Sequence, residues 1–564
     1  MRKDIRFNIF RNLGQILTSH SMNTRSTVII AAVLALAACT GNRDTDNARK
    51  AATEENLRMH TEAVSHDSCQ GRKPFSAGAD RAVGYIAGQM KAIGLEPFDG
   101  DSYLQPVRIK AAQFECPGPM VMQTPEGRIS LEWQEDYVAF SARNESRIDI
   151  RGSELVFAGY GISAPEYGKN DFRGIANPEE KVAVVLVNDP GLGGGDPGYF
   201  NGDNMTYYGR WTYKLEEAAR QGLKGVLIIH DDRGAGYGWS VVRASGRAKM
   251  YVDADDGYHC PLNGWISQES ARQLLDNCGY DLDSLTKMAG SPDFRPFSLN
   301  STVSVSIGLT FDRQQSPNVI GYIPGSGNTD ESVVYIAHWD HLGYGTPIDG
   351  DSIINGATDN AVGVAWLLET ARCFKALKEK PRRNIVFIAP TCEESGFLGT
   401  EYYVANPLFP IEKTAAVINM DVFPLWGENN DVTITGYGHS DLDGTLAALA
   451  GKYGRYVMPD PDAYNGMFYR SDHFPFVRKG IPAMFAKGWN DNRVHGKEWS
   501  REQIARYWAE TYHKPTDQTH PETDDYSGLL QEVHLFFDLG YRLAQETGYP
   551  EWKSGSEFAD ILER

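Results

Sequence analysis

The sequence of 564 residues contains little cysteine. Its seven cysteines, at positions 39, 69, 116, 260, 278, 373 and 392, are too few for a fold held together by disulfides. No two of them form a Cys-x-x-Cys pair, so neither a zinc ribbon nor a thioredoxin-like site has support in the sequence. Cys260 and Cys278 either pair with each other in an oxidising compartment or remain free thiols.

Positive charge is also scarce. Lys and Arg total 55 against 74 Asp and Glu, so the formal net charge is −19. An acidic surface repels phosphate, and we therefore expect no nucleic-acid partner. Hydrophobic residues make up 41% and charged residues 23% of the chain, which is ordinary for a globular protein and excludes a disordered or collagen-like chain.

The apolar run near the N-terminus, residues 27–39, is too short to cross a bilayer, which takes about 20 residues. Arg25 precedes it, and the pattern is typical of a secretory signal. The end of the run, Leu36-Ala-Ala-Cys39, resembles the lipobox of bacterial lipoproteins, in which the cysteine is acylated. A plain signal peptide with an incidental cysteine is the alternative.

We therefore predict a lipoprotein-type signal over residues 1–38, with Met22 as an alternative start. A lipid anchor at Cys39 and a polar tether over residues 39–54 would follow. The protein would be exported and held in the cell envelope, at the outer membrane or its periplasmic face.

From residue 315 onward, predicted strands and helices alternate. Residues 332–337, 384–389 and 415–420 are apolar runs typical of buried strands, and residues 361–374 have the pattern of a helix. Repeated βα units favour a mostly parallel sheet with helices on both faces. The predicted fold class is therefore α/β, with a ligand site beyond the carboxyl ends of the strands.

Ionisable residues follow these strands. Histidine nitrogen and carboxylate oxygen are the ligands of zinc, and two divalent ions can share one carboxylate. Ordinary surface charges would be scattered over both edges of the sheet, whereas these ionisable residues are all expected at one edge. Their common position predicts a metal site. The residues are His338, Asp340, Asp359, Glu393, Glu394 and Asp421.

Five segments, in this order, resemble the co-catalytic di-zinc exopeptidases. That family includes secreted bacterial aminopeptidases, with glutamate carboxypeptidase and the transferrin receptor as relatives. The segments are residues 337–343, 355–363, 392–396, 419–421 and 512–517. The resemblance implies the zinc exopeptidase fold, two zinc ions as cofactors, and an aminopeptidase that hydrolyses N-terminal residues from peptides with a metal-activated water.

The resemblance also implies a set of metal ligands. Asp359 would bridge the two ions, His338 and Asp421 would complete one site, and Glu394 and His513 the other. The protein would then have the full ligand set of an active enzyme, unlike a receptor-like relative that has lost ligands.

Three further residues are implied to be catalytic. Glu393 would be the general base, Asp340 would orient the imidazole of His338, and Tyr512 would stabilise the oxyanion. Two other histidines are given lesser roles. His341 is expected to be structural. His473 is expected to line the substrate pocket, and it is the alternative to His513 as the last metal ligand.

The stretch before the catalytic segment resembles a protease-associated domain. Its apolar run at residues 181–187, helical pattern at 213–221 and second apolar run at 225–229 form a β-α-β unit. We predict an N-terminal part of the peptidase domain over residues 55–150, the protease-associated insert over 151–300 and the catalytic domain over 301–550.

Other functions remain open from the sequence. A carboxypeptidase or dipeptidase of the same family would need basic side chains for a terminal carboxylate, and Arg470, Arg478 and Arg493 are candidates. A single-zinc glutaminyl cyclase shares the fold but does not need the full ligand set. A non-catalytic peptide-binding or receptor-like module is the non-enzyme alternative. Oligomeric state and residue preference are not predicted.

Overall fold

The computed structural model describes residues 43–254 and 257–562. The predicted signal over residues 1–38, Cys39 and the first residues of the tether lie outside them. Residues 43–49 are helical, and Ala48 is buried in the main hydrophobic core. In the described part of the chain, no helix has both the length and the hydropathy needed to span a membrane.

The centre of the larger sheet is parallel. Ser332–Ile336 lies between Asn384–Ala389 and Thr414–Asn419, and Ala483–Lys487 adds to the far side of Thr414–Asn419. All four strands are buried along their length. This agrees with their unbroken apolar sequences, because a parallel strand covered on both faces has no solvent side.

Antiparallel strands flank this parallel centre. Phe297–Ile323 pairs with Asn384–Ala389 on one side. On the other side, Asp431–Thr435 pairs with Ala483–Lys487, and Tyr456–Pro459 is outermost.

Helices cover both faces of the sheet, and each face has its own buried cluster. Ser76 begins one of the longer helices by accepting a hydrogen bond from the Ala79 amide, and Gly94, with a φ of 86°, ends it. The predicted α/β fold, a mostly parallel sheet flanked by helices, is confirmed. The flanking helices are Glu54–Ser65, Ala77–Ile93, Val362–Ala376, Leu398–Ala405, Leu442–Lys452, Phe474–Val477, Gly496–Arg506 and Ser527–Gln545.

A second group of strands lies in the region of the predicted insert. Arg147–Phe157, Lys181–Leu186, Gly225–Ile229 and Leu262–Ile266 are parallel neighbours in that order, and Tyr137–Phe140 closes the row antiparallel. Further pieces of this group are the hairpin Met120–Thr124 with Gly127–Leu131, the strand Ala248–Val252, and the helices Trp211–Arg220, Asp232–Ala235, Trp239–Ser245, Gln268–Asp276 and Leu282–Ala289.

These elements share a buried cluster whose members run from Ala112 to Leu309. The cluster therefore includes residues on both sides of the predicted insert, and the domain boundaries stay a prediction. Cys260 and Cys278, which belong to this region, are free thiols.

One long strand joins the two groups. Phe297–Ile323 pairs with Arg147–Phe157 and Met120–Thr124 in its first half and with Asn384–Ala389 at its end. Between these, residues 308–319 pair one by one with Leu104–Glu115. The two lobes of the molecule therefore share a continuous hydrogen-bonded ladder.

The helix Ser527–Gln545 packs closely against the central strand at Gly540. A Cβ atom at residue 540 would lie 1.7 Å from Tyr335 Oη, and this buried hydroxyl donates to the carbonyl of Phe536 at 2.7 Å. We expect Gly540→Ala to lower the free energy of unfolding by about 1–3 kcal/mol, measured by urea unfolding, because Tyr335 has no space to move into.

Gly88→Ala is the matched control. Gly88 is an exposed residue in the middle of the helix Ala77–Ile93, and a Cβ there would meet nothing within 4 Å. This substitution should raise stability by about 0.5–1 kcal/mol, because alanine is the better helix former. Equal effects of the two substitutions would contradict the packing described at Gly540.

Candidate metal centre

Four of the predicted site residues lie where parallel strands end. His338 follows Ser332–Ile336, Glu393 and Glu394 follow Asn384–Ala389, and Asp421 follows Thr414–Asn419. Because these strands are parallel neighbours, their carboxyl ends meet at one edge of the sheet. The strand ends therefore bring the side chains together in a buried place; His338 is only 1% exposed.

Asp359 lies at the centre of the cluster. It is in the segment Ala357–Ala361, which leads from the hairpin Gly343–Ile348 and Asp351–Ile354 into the helix Val362–Ala376. One carboxylate oxygen, Oδ1, is 3.3 Å from His338 Nε2, and the other, Oδ2, is 3.3 Å from His513 Nε2. Asp359 therefore faces two histidines in the manner of a bridging ligand.

The backbone around Asp359 is held from two sides. Asp517 accepts hydrogen bonds from the amides of Thr358 and Asp359, at 2.9 and 3.1 Å. Arg72, which is fully buried, donates to the carbonyls of Gly356 and Asp359, at 2.7 and 3.0 Å. These bonds fix the direction of the Asp359 side chain.

The first possible ion site consists of His338, Asp359 and Asp421. One ligand atom from each lies within 4.8 Å of the others, and His338 Nε2 is 3.3 Å from Asp421 Oδ1. His338 Nδ1 is 3.2 Å from the backbone carbonyl of Asp340 and 3.9 Å from its carboxylate. The carboxylate of Asp340 instead accepts the amide of Glu393 at 3.0 Å. The orienting role of Asp340 stays a prediction.

The second group of possible ligand atoms within 4.8 Å of one another consists of His341, Asp359 and Glu394, and the predicted ligand His513 lies beside it. His513 Nε2 is 3.2 Å from Glu394 Oε2, yet it forms no hydrogen bond with any described residue. A buried ring nitrogen between two carboxylates is suited to a cation at their centre. His341 also contacts this group, with Nδ1 2.6 Å from Glu394 Oε1. This contact was not predicted from the sequence.

The pKa shifts within the cluster also favour a bound cation. Burial lowers the pKa of His513, but Glu394 and Asp359 outweigh it and raise the pKa to about 10. Burial raises the pKa of Glu393 well above its usual value, and the nearby carboxylates of Asp421 and Asp472 add to this against the effect of His338. Positive charge is favoured throughout the cluster, and the donor set of nitrogen and carboxylate oxygen fits zinc.

Tyr512 and His473 have different surroundings. The Tyr512 ring stacks on His513 with centroids 3.7 Å apart, and burial and the site carboxylates raise the pKa of the phenol well above 10, so it keeps its proton. His473 is buried between Phe468 and Phe485, and burial lowers its pKa to about 3. The structure thus brings His513, and not His473, to Asp359.

Two polar residues around Asp421 were not predicted from the sequence. Ser471 donates to Asp421 Oδ2 at 2.7 Å, and the buried Lys487 donates to the backbone carbonyl of Asp421 at 2.6 Å. Lys487 ends the fourth parallel strand, and a lysine after an apolar run was a signal that could have identified it. Ser471 and Arg72 carry no such signal, because only the fold brings them to the site.

The three candidate arginines differ in their partners. Arg478 pairs with Glu216 at 2.8 Å and with Glu401, and Arg493 pairs with Glu428. Arg470 makes no side-chain hydrogen bond or ion pair with any described residue; its Nε and Nη2 atoms are buried without a partner. Arg470 alone of the three is therefore available to another anion.

Residues 318–533, which contain every predicted ligand, match peptidase family M28. This part of the chain belongs to that family. The N-terminal residues and the insert region precede this M28 segment and residues 534–564 follow it, and the match covers none of them.

Known proteins resemble parts of the chain. Aminopeptidase NAALADL1 of Rattus norvegicus is 32% identical over 171 residues, 29% of this chain and 20% of the rat protein. Leupeptin-inactivating enzyme 1 of Streptomyces exfoliatus is 32% identical over 135 residues, 23% of this chain and 29% of that enzyme. A probable zinc metalloprotease of Pyrenophora teres f. teres is 30% identical over 161 residues, 28% of this chain and 31% of that protein.

The aligned part thus spans less than a third of each relative's length. Among solved structures, the aminopeptidase from Aneurinibacillus sp. strain AM-1 superposes with a TM-score of 0.47 at 19% identity. It covers 90% of this chain and 97% of that chain.

Asp517 offers a test of the site outside the ligands themselves. Asp517→Asn keeps the size but places an amide where two backbone N–H groups need acceptors, so Asp359 should lose its fixed direction. We expect zinc affinity, measured by competition with a chelator, to fall by about 10- to 100-fold. Glu522→Gln, at an exposed position on the same loop, is the control and should leave the affinity unchanged. Unchanged affinity in Asp517→Asn would show that Arg72 alone holds the loop.

Proposed function

We propose that the M28 segment is a zinc-dependent exopeptidase, and specifically an aminopeptidase that removes N-terminal residues from peptides. The observation that carries the proposal is the position of Asp359, whose Oδ1 lies 3.3 Å from His338 Nε2 and whose Oδ2 lies 3.3 Å from His513 Nε2. Such an arrangement suits two ions that share a ligand. The names of the relatives and the family match support the same activity.

The residues fit zinc in both possible sites. Asp359 would be shared, with His338 and Asp421 on one side and Glu394 and His513 on the other. When bound, zinc supplies Lewis acidity, which favours ionisation of water and polarises a carbonyl oxygen. A free α-amine of the substrate is the group that selects the N-terminal residue in this proposal.

Proton transfer is assigned to Glu393. Its carboxylate lies beside the cluster, 4.0 Å from His338 Nε2, but in neither ligand group. Glu393 would take the proton of the attacking water and pass it to the leaving amine. Tyr512, which keeps its proton, would donate a hydrogen bond to the oxyanion.

The two adjacent glutamates provide a sharp test. Glu393→Gln cannot act as a base, so zinc content should persist while turnover of an aminoacyl-nitroanilide falls by about 10²–10⁴-fold. Glu394→Gln should instead lose zinc, because a neutral amide is a poorer ligand than a carboxylate. Metal analysis and rates are measured on the same preparations.

The outcome separates the competing functions. Loss of zinc in Glu393→Gln with retention in Glu394→Gln would reverse the two roles. A wild-type protein that binds zinc but hydrolyses nothing in a small peptide library would favour a binding module instead. Full activity in both variants would place the active site elsewhere.

A carboxypeptidase or dipeptidase is the second candidate function. One observation favours it: Arg470 has no ion-pair partner among the described residues and lies next to Ser471, which contacts Asp421. A terminal carboxylate near the metal centre would provide that partner.

We also propose export to the cell envelope with a lipid anchor at Cys39. The lipobox-like sequence Leu36-Ala-Ala-Cys39 supports it. Cys39→Ala should release the protein from the membrane fraction or block its processing, because acylation needs the thiol. Membrane fractionation with radiolabelled palmitate incorporation measures both. A variant that stays in the membrane fraction to the same extent would contradict the anchor.

A further inference from the structure

A short helix at the start of the described chain is part of the folded body. Residues 43–49 form this helix, and Asp44 accepts a hydrogen bond from the amide of Lys378 at 3.1 Å. At the other end of the helix, the thiol of Cys373 donates to the carbonyl of Arg49 at 3.9 Å. The helix therefore lies alongside the stretch of chain between these two partners.

The helix Val362–Ala376 connects this place with the metal centre. It begins directly after the segment that contains Asp359, and its 15 residues extend for about 22 Å. Lys378 follows its end, and the strand Asn384–Ala389 then returns to Glu394. The N-terminal helix is therefore fixed at the edge where the parallel strands begin, while the metal centre lies at the edge where they end.

Positive charge is concentrated around the N-terminal helix. Residues 43–50 and 375–382 contain seven Lys and Arg against three Asp and Glu, although the whole chain has a net charge of −19. Five of these seven cations are exposed and form no ion pair with any residue that the structure describes. We call these five residues the basic face: Arg43, Lys50, Lys375, Lys378 and Lys380.

The proposed acylation site is close to the basic face. Residues 40–42 separate Cys39 from Arg43, and four steps of fully extended chain span at most about 14 Å. The helix Val362–Ala376 alone is longer than this distance. A lipid on Cys39 would therefore hold the folded body against the bilayer, with the surface around Arg43 turned toward it.

Electrostatic attraction favours the same orientation. A bilayer that contains anionic lipids attracts Lys and Arg side chains near its surface, and the attraction decays within about 10 Å at moderate salt. The remainder of the chain is strongly acidic, so the same headgroups repel it. The free energy of the anchored protein is therefore lowest when the basic face, and no other surface, lies on the headgroups.

We propose that the basic face binds the anionic phospholipid headgroups of the membrane that holds Cys39, so that the metal centre faces away from the bilayer. This inference rests on the proposed lipid anchor and does not depend on the peptidase activity. Substrates would then reach the metal centre from the aqueous side, and the fold itself would set the orientation of the molecule.

Lysine labelling measures the orientation directly. The acylated full chain is inserted into vesicles of phosphatidylglycerol and phosphatidylethanolamine, acetylated with a water-soluble reagent and analysed by mass spectrometry. Lys378 and Lys380 should react about fivefold more slowly than in the soluble Cys39→Ala full chain, because the headgroups bind and cover them. Lys497 is exposed beside the Tyr456 ring at the edge of the sheet that carries the metal centre, and it should react equally in both.

The outcomes distinguish the orientation from the anchor. If Lys378 is no better protected than Lys497 in the acylated, vesicle-bound protein, the proposal is overturned and the anchor stands. Protection of Lys497 in place of Lys378 would show the opposite orientation and also overturn it. If the N-terminal peptide carries no lipid at Cys39, the anchor itself fails, and this inference fails with it.

A triple substitution tests the role of charge. Protection of Lys50 in phosphatidylglycerol vesicles should exceed that in phosphatidylcholine vesicles by about fivefold. Replacing the three other lysines of the basic face by glutamine should remove this difference, because glutamine offers no charge to the headgroups. The substitutions are Lys375→Gln, Lys378→Gln and Lys380→Gln.

A control with the same change in net charge tests the position of the lysines. Arg128→Gln, Arg173→Gln and Lys287→Gln together remove three exposed cations outside the basic face, none of which forms an ion pair within the described part of the chain. This control should keep the difference between the two lipids. A difference that survives the substitutions in the basic face, or that is absent from the unsubstituted protein, would overturn the binding to anionic headgroups.

Discussion

Repulsion among carboxylates is the constraint on which the site depends. Asp359, Glu393, Glu394 and Asp421 lie together in a buried place, where like charges oppose folding. Histidines and the backbone N–H groups that donate to Asp340 and Asp517 offset part of this repulsion. The sheet is stiff enough to hold the carboxylates in place despite the rest. Helices on both faces leave the strand ends little freedom to separate. A cation in the cluster would remove most of the remaining cost, so metal binding and stability are linked.

The sequence allowed the prediction of features that depend on local pattern. Buried parallel strands appear in the sequence as unbroken apolar runs, and the residues that follow them lie at one edge of the sheet. The sequence alone was therefore enough to group His338, Glu394 and Asp421. The resemblance placed His513 and not His473 among the ligands, and the structure brings His513 to Asp359. In contrast, the contact of His341 with Glu394 and the support from Arg72 depend on how distant loops fold, which no short pattern records.

The insert region shows the same limit. Its β-α-β pattern could be predicted from the sequence. The alternating residues of the strand Phe297–Ile323, however, do not indicate that this one strand pairs with strands of both lobes. The predicted boundary at residues 300 and 301 falls inside that strand.

The shared strand also limits how the two lobes can move relative to each other. From Gly308 to Val319, every residue of Phe297–Ile323 is paired with Leu104–Glu115, and the same strand continues into the sheet that carries the metal centre. A hinge that swings one lobe away would have to bend or tear this ladder. The relative position of the two lobes is therefore set by main-chain hydrogen bonds and not by side-chain contacts alone. The ladder makes the two lobes one mechanical unit, in which side chains and surface loops can move while the strands that carry the candidate site keep their spacing.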